Sequence, residues 1–108
     1  MQTGGTIDKD YPRDSKGWAF EIGSPAIIRI LGLLNPSFES EVIEVLKKDS
    51  LELDSSDRRN IENEIKNHAF NKVIITHGTD TMIETASFLA KNIERKVVII
   101  TGYETWKI

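Results

Sequence analysis

The chain has 108 residues, of which 39% are hydrophobic and 29% are charged, a balance typical of one folded domain covering residues 1–108 rather than a disordered chain. The net charge is −3, so the sequence offers no basic surface of the kind that nucleic acid requires. No apolar run approaches the roughly 18 residues of a membrane-spanning helix. Cysteine is absent, which excludes disulfides and thiolate metal sites. No targeting pattern precedes the first turn, so the expected location is cytoplasmic.

The first recognisable element is a turn, Thr3-Gly4-Gly5-Thr6, in which two glycines allow backbone angles that other residues avoid. Residues 8–23 are polar and interrupted by proline and glycine, which predicts a long surface loop carrying Tyr11, Trp18 and Phe20. Loops of this length are uncommon unless they are functional.

A helix is predicted next, with Ser24 as N-cap, Pro25 at its first position and an end at Asn35-Pro36. Residues 38–46 carry apolar side chains on both parities, which indicates a strand. That strand ends just before Asp49 and Ser50.

The second half of the chain alternates helices and strands. Ile61 and Ile65, four residues apart, predict an amphipathic helix over 56–68 that is capped by Ser55 or Ser56. The remaining predictions are a strand at 73–75 buried on both faces, a helix over 81–93 with Met82, Ala86, Leu89, Ala90 and Ile93 inward, and a buried strand at 97–100.

This order predicts a doubly wound parallel α/β sheet, a Rossmann-like or flavodoxin-like three-layer α/β/α fold. Ligands bind such sheets outside the carboxyl ends of the strands, where both hydroxyl-rich turns of this chain fall.

Thr6 is the first candidate for chemistry, because the neighbouring glycines let a ligand approach bare backbone N–H groups. A threonine hydroxyl needs a base or a nearby cation before it becomes a useful nucleophile. The alternative is a plain tight turn. A dinucleotide site is disfavoured because the third spaced glycine is missing.

The second candidate is the corner His77-Gly78-Thr79-Asp80-Thr81, which follows a strand and precedes a helix. Asp80 or Thr81 could cap the helix, and His77 could be a structural hydrogen-bonding group. In a functional interpretation, Asp80 pairs with a substrate ammonium, and Thr79 positions a water or hydroxyl.

Three strings together resemble one known family. TGGTID and VIITHGTDTMIETA are similar to the two signature motifs of asparaginases and glutaminases, and KKDSLELDSSD resembles their substrate-binding Asp-Ser segment. Order and spacing agree over residues 3–101, and the chain is most similar to short, single-domain asparaginase-like proteins of bacteria.

The resemblance implies an amidohydrolase that cleaves the side-chain amide of asparagine, or of glutamine, through an acyl-enzyme on Thr6. Thr79 would be the second catalytic threonine, and Asp80 would hold the substrate's α-amino group. Ser50 would bind its α-carboxylate, and backbone N–H groups around Gly78 and Thr79 would receive the oxyanion. No cofactor or metal is implied, and His68 and His77 lack a ligand-like spacing.

The chain departs from the family pattern at several positions. The loop tyrosine of the family aligns with Phe20, which leaves Tyr11 as the substitute hydroxyl, and Leu51 stands where a polar residue is common. The resemblance also implies a domain cut at both ends, because family members have a strand before the first motif and a catalytic lysine beyond Ile108. Exposed apolar surface at such ends predicts a homo-oligomer.

Other functions remain open at this stage. An inactive fragment or pseudoenzyme would bind small amino acids or act through oligomerisation without turnover. An amidotransferase subunit for transfer-RNA-linked chemistry would need an added partner domain. A phosphate-binding module is disfavoured because Asp80 would repel an anion at the same strand edge.

Overall fold

The computed structural model describes residues 1–5, 7, 9–10, 21–22 and 25–102. It is a small α/β structure in which a short 3-10 helix at Ser50–Glu52 precedes the second α-helix. The elements in chain order are β1 (Lys9–Asp10), β2 (Glu21–Ile22), α1 (Ala26–Leu34), α2 (Ser55–Asn67), β3 (Lys72–Thr76), α3 (Met82–Asn92) and β4 (Val97–Thr101).

The centre of the structure is a parallel pair, β3 and β4, with Ile74 opposite Ile99. The amino-terminal residues continue this arrangement on the other side of β3. Thr3 donates its N–H to the carbonyl of Thr76 at 3.1 Å, and Gln2 forms parallel bridges with both Thr76 and Glu44. The segments therefore lie in the order 43–46, 1–3, β3 and β4, and their carboxyl ends share one edge.

The strand predicted at residues 38–46 is wrong as a regular element. Only the isolated bridge at Glu44 is present, although Gln2 donates its N–H to the carbonyl of Ile43 at 2.8 Å. Phe38 is 65% exposed. The physical reason is that this stretch pairs only around Gln2, which also accepts N–H groups from Val45 and Leu46, and the rest has no strand beside it among the described residues.

The predicted loop at residues 8–23 is not structureless where it is described. Its ends form an antiparallel pair in which Lys9 faces Ile22 and Asp10 faces Glu21. Tyr11, Trp18 and Phe20 lie outside the described residues.

The hydrophobic core lies between one face of β3 and the helices α2 and α3. Ile61 and Ile65 are fully buried, which confirms the amphipathic face predicted from their spacing. They cluster with Val73, Ile75 and Leu89. Burial of each large aliphatic side chain stabilises the fold by about 1.5–3 kcal/mol, so these five residues form the main apolar contribution.

Helix α2 begins one residue earlier than predicted and uses a different cap. Asp54, not Ser55 or Ser56, is the N-cap, and its carboxylate accepts the N–H of Asp57 at 2.9 Å. Asp57 reciprocates by accepting the N–H of Asp54 at 3.1 Å. This capping box satisfies two N–H groups that a helix start otherwise leaves without partners.

Helix α1 ends at Asn35, as predicted, and this residue adopts a left-handed φ of 43°. The helix begins at Ala26 rather than at Pro25, and Ser24 lies outside the described residues. Its apolar side is poorly covered, because Ile28 is 52% exposed and Leu34 is 71% exposed.

The two parallel strands are less buried than predicted. Val73 and Ile75 of β3 point into the core while Ile74 is 50% exposed, and Val97 and Ile99 of β4 are more than half exposed. Alternating side chains take opposite faces of a sheet, so only one face of β3 is packed. An apolar groove of about 610 Å³ opens on the other face, with Ile27 and Leu31 of α1 in its wall.

Helix α3 also differs from its predicted face. Leu89 is buried as expected, but Ala86 and Ala90 are exposed, and the second buried residue is Thr85. Thr85 is inward because its hydroxyl has buried hydrogen-bond partners, which the apolar spacing alone does not reveal.

Candidate active site

The carboxyl edge of the parallel segments brings together three of the motifs singled out in the sequence. The Asp49-Ser50 segment is the first, and Lys48 fixes its start. Lys48 donates its backbone N–H to the carbonyl of Thr3 at 3.1 Å. Its ammonium donates to both carboxylate oxygens of Asp57, at 3.0 and 3.1 Å. The segment is thereby tied to the amino-terminal segment and to helix α2.

Ser50 itself lies inside the protein. It is 1% exposed, and its hydroxyl oxygen has no hydrogen-bond partner among the described residues. A buried hydroxyl without a partner is costly unless something else, such as a ligand, supplies the hydrogen bond. The position of Ser50 is therefore suited to binding a polar group.

Gly5 and Gly78 bring the two glycine-containing turns into contact. A Cβ atom on Gly5 would lie 2.6 Å from the Cα of Gly78, and one on Gly78 would lie 2.7 Å from the Oγ of Ser50. Only hydrogen atoms fit in these spaces, so both positions require glycine. Gly5 also has a φ of 91°, which side chains disfavour. The three motifs consequently meet at one point.

His77 is completely buried and forms hydrogen bonds through both ring nitrogens. Nδ1 lies 2.5 Å from the carbonyl oxygen of Gly78, so it carries the hydrogen. Nε2 lies 2.8 Å from the hydroxyl of Thr85, which in turn accepts from Nε of Arg58 at 3.0 Å. This chain of hydrogen bonds runs from α2 through α3 to the Gly78 corner.

Burial lowers the pKa of His77. The Gly78 carbonyl favours the charged form, and the Arg58 guanidinium opposes it. The imidazole is therefore neutral at pH 7, with Nε2 accepting from the Thr85 hydroxyl. A neutral ring with both nitrogens engaged acts as a structural connector, which agrees with the structural alternative for His77.

The pKa values of Asp57 and Lys48 are shifted in opposite directions because the two side chains form an ion pair. Burial by itself would raise the pKa of Asp57, but the Asp54 N–H and the Lys48 ammonium outweigh it and hold that pKa below its ordinary value. The same hydrogen bond from Lys48 to the carboxylate raises the pKa of the lysine. Both groups stay charged near neutral pH.

The residues that follow Gly78 lie toward the solvent side of this edge. Thr79 is half-buried, and its methyl group would lie 3.2 Å from a Cβ on Gly102, just after β4. Asp80 is exposed. Thr81 occupies the N-cap of α3 without capping it, since its hydroxyl donates to the carbonyl of Ser50 at 2.7 Å.

Not every predicted site residue falls within the described part of the chain. Gly78, Thr79, Asp80 and Ser50 do, and they gather around one corner. Thr6, Tyr11 and Phe20 lie outside the described residues. Gly5, the neighbour of Thr6, is in contact with Gly78.

Four polar residues around the site had no functional interpretation in the sequence. Lys48 and Arg58 both have partners in neighbouring elements, which no sequence pattern around them indicates. Thr85 was not singled out from the sequence and Thr81 was considered only as a helix cap, since threonines near a helix start are ordinarily caps or surface residues. Only the tertiary structure shows that these two side chains lie on the side of α3 that faces the rest of the protein.

The described residues contain no group of three or more His, Asp or Glu side chains placed to hold a metal ion. No helix in the described ranges has the length and apolar content that spanning a bilayer would demand.

These features define a class: a small α/β protein whose parallel segments present a serine, a threonine and a carboxylate at one glycine-lined edge. The model of the asparaginase N-terminal domain matches residues 1–104. An L-asparaginase of Bacillus licheniformis is 30% identical over 110 residues, a match that covers 94% of this chain and 33% of that protein. The chain belongs to the asparaginase family, and it spans about a third of that relative's length.

Proposed function

We propose that this chain carries the amino-acid-binding part of an amidohydrolase that converts the side-chain amide of asparagine, or of glutamine, into the acid and ammonia. The observation that carries the proposal is the meeting of Gly5, Ser50 and Gly78 at one corner. Family membership supports the reaction class, and the corner geometry supports a common site for the three motifs.

In the proposed complex, the two ends of the substrate bind to different parts of the corner. The Ser50 hydroxyl donates to the α-carboxylate, which supplies the partner that this buried group otherwise lacks. The exposed carboxylate of Asp80 pairs with the α-ammonium. The side-chain amide then extends toward Thr6 and Thr79.

The chemical step is nucleophilic substitution at the amide carbonyl. The Thr6 hydroxyl attacks the carbon, and its proton is transferred to the departing nitrogen, which leaves as ammonia. Backbone N–H groups at Gly78 and Thr79 stabilise the oxyanion, where one donor is worth about 3 kcal/mol. Water activated through Thr79 hydrolyses the ester and restores the Thr6 hydroxyl.

The proposal also covers the complete fold, the assembly and the location of the protein. The order 43–46, 1–3, β3, β4 matches the start of a flavodoxin-like sheet, so we extend it to a doubly wound, three-layer fold. The exposed β4 side chains and the groove beside α1 support a homo-oligomer. A cytoplasmic location fits the absence of cysteine in the sequence.

Ammonia release from asparagine and from glutamine tests the reaction. We expect release above background at high protein concentration. Thr6→Val should reduce kcat by at least about 100-fold, as loss of a covalent nucleophile does. Ser56→Ala removes an exposed hydroxyl from α2 and should leave the rate unchanged. Equal rates for Thr6→Val and Ser56→Ala would contradict the threonine mechanism.

A second candidate is amino-acid binding without turnover, and one observation favours it. Ser50 and Asp80, the two proposed contacts for the amino-acid group, are both within a chain that covers only 33% of its relative. Calorimetry with aspartate separates the candidates. Binding with no ammonia release supports the second, and binding with release supports the first.

A further inference from the structure

We infer that Thr81 is a positioning residue for the Ser50 hydroxyl, and that it sets the distance between the two subsites of an α-amino acid. The inference rests on the proposed function, because Ser50 and Asp80 are its proposed binding groups. Thr81 follows Asp80 directly in the chain, and its hydroxyl donates to the carbonyl of Ser50 at 2.7 Å.

Thr81 does not cap its own helix. A threonine at a helix N-cap ordinarily accepts an N–H from the first turn of its own helix. Thr81 makes no such bond at the start of α3. Its hydroxyl instead reaches across 31 residues of sequence to Ser50, so the helix start forgoes its side-chain cap.

In the described part of the chain, the backbone of Ser50 is held by hydrogen bonds, but its side chain is not. Its carbonyl accepts two hydrogen bonds, one from the N–H of Leu53 at 3.2 Å within the 3-10 helix and one from Thr81. Its own hydroxyl has no partner among the described residues. The side chain is therefore placed by its backbone, and Thr81 is the only side-chain donor to that backbone among the described contacts.

Ser50 is the first residue of a short 3-10 helix. The helix contains only Ser50–Glu52, too short to be rigid by itself. Arg58 contacts its far end through the carbonyl of Leu53 at 3.4 Å. Thr81 contacts its first residue, Ser50, and Lys48 holds the backbone that precedes it.

One consequence is specific to the substrate class. The tie joins the proposed carboxylate-binding hydroxyl to the residue beside the proposed ammonium-binding carboxylate of Asp80. It therefore links the two proposed binding groups through a single hydrogen bond. Ligands that carry both groups should depend on Thr81, whereas the reacting amide end should not.

The test uses aspartate as the probe, with calorimetry on the full chain. Thr81→Val keeps the shape of threonine but removes the donor, and we expect the aspartate Kd to rise about tenfold. Thr81→Ser restores the hydroxyl and should return the Kd to within about threefold of the unmodified protein. Ser87→Ala, an exposed hydroxyl on α3, is the matched control and should not change it.

A double-mutant cycle separates positioning from simple loss of stability. If Thr81 acts through Ser50, Thr81→Val should add little once Ser50→Ala has removed the hydroxyl that Thr81 positions. A full tenfold effect of Thr81→Val in the Ser50→Ala background overturns the inference. So does a Kd for Thr81→Val that stays within twofold of the unmodified protein.

Amide hydrogen exchange without ligand distinguishes this inference from the proposed function. Absence of aspartate binding to the unmodified protein would count against the proposed function. The tie itself is then judged by exchange at the Glu52 and Leu53 amides, whose acceptors lie within the 3-10 turn. Thr81→Val should speed both about tenfold while Ile61 in α2 is unchanged; equal protection in both proteins overturns the inference.

Discussion

Replacement of Gly5 by alanine should destabilise the protein strongly, because the backbone at Gly5 lies against the backbone of Gly78. The new Cβ would lie 2.6 Å from both the Cα and the N of Gly78, and 3.1 Å from the carbonyl carbon of His77. None of these backbone atoms can rotate away as the end of a side chain would. The φ of 91° adds conformational strain.

The magnitude follows from two separate costs. A non-glycine residue in such a backbone region costs about 1–3 kcal/mol, and overpacking costs about 1–3 kcal/mol. Gly5→Ala should therefore lose about 2–6 kcal/mol, a large part of the roughly 5–15 kcal/mol typical of a domain. Urea unfolding followed by circular dichroism measures this as a lower midpoint at unchanged slope.

Gly32→Ala is the matched control for this experiment. Gly32 lies inside α1, and a Cβ there would meet nothing within 4 Å. Alanine is favoured over glycine within a helix by about 0.5–1 kcal/mol, so this variant should be slightly more stable. A loss of less than about 1 kcal/mol for Gly5→Ala would refute the claim that the two corners are in contact.

Three further predictions concern the core, a helix cap and pH. Ile61→Ala should lower the free energy of unfolding by about 2–5 kcal/mol. Ile74 is 50% exposed, so Ile74→Ala should lower it much less. Similar losses for the two variants would contradict the assigned core face. Asp54→Ala should cost about 0.5–2 kcal/mol by thermal or urea unfolding, whereas Ser55→Ala should be nearly neutral; the reverse ranking would restore the serine cap. Because burial lowers the pKa of His77 from 6.5, the unfolded chain binds a proton that the folded chain does not, so stability should fall as pH decreases below about 6.5. His77→Asn should show a weaker pH dependence over that window, and parallel curves for the two proteins would exclude His77 as the cause.

The helices were the most predictable part of the fold. Ile61 and Ile65 recur at helical spacing beside polar neighbours, and the structure buries both. The end of α1 at Asn35 was also predictable, because a proline follows it. Such signals depend on residues close together in the chain, so contacts with distant segments do not change them.

Strand burial was less predictable. The runs at 73–75 and 97–100 are continuously apolar, which indicates two covered faces in a parallel sheet. Ile74 and Ile99 are nevertheless about half exposed. Whether a second face is covered depends on the helix opposite, and α1 leaves a groove there.

The candidate site divides in the same way. Thr79 and Asp80 were singled out from the sequence because hydroxyl and carboxylate groups follow a predicted strand, and parallel strands end at one edge. Ser50 and Gly78 were singled out through the family resemblance. The hydrogen bonds that hold these residues in place were not predicted from the sequence. The bond from Thr81 to Ser50 spans 31 residues, and no local pattern encodes a partner at that distance.

The amino-acid sequence by itself determined the alternation of α2, β3, α3 and β4, the amphipathic face of α2 and the chemical groups at the sheet edge. Backbone propensity, side-chain periodicity and turn residues act between near neighbours, so they can be read along the chain. Only the tertiary structure decided which apolar faces are covered and which hydroxyls are tied to which backbone groups. Those outcomes depend on segments distant in sequence meeting at fixed distances, as Gly5 meets Gly78.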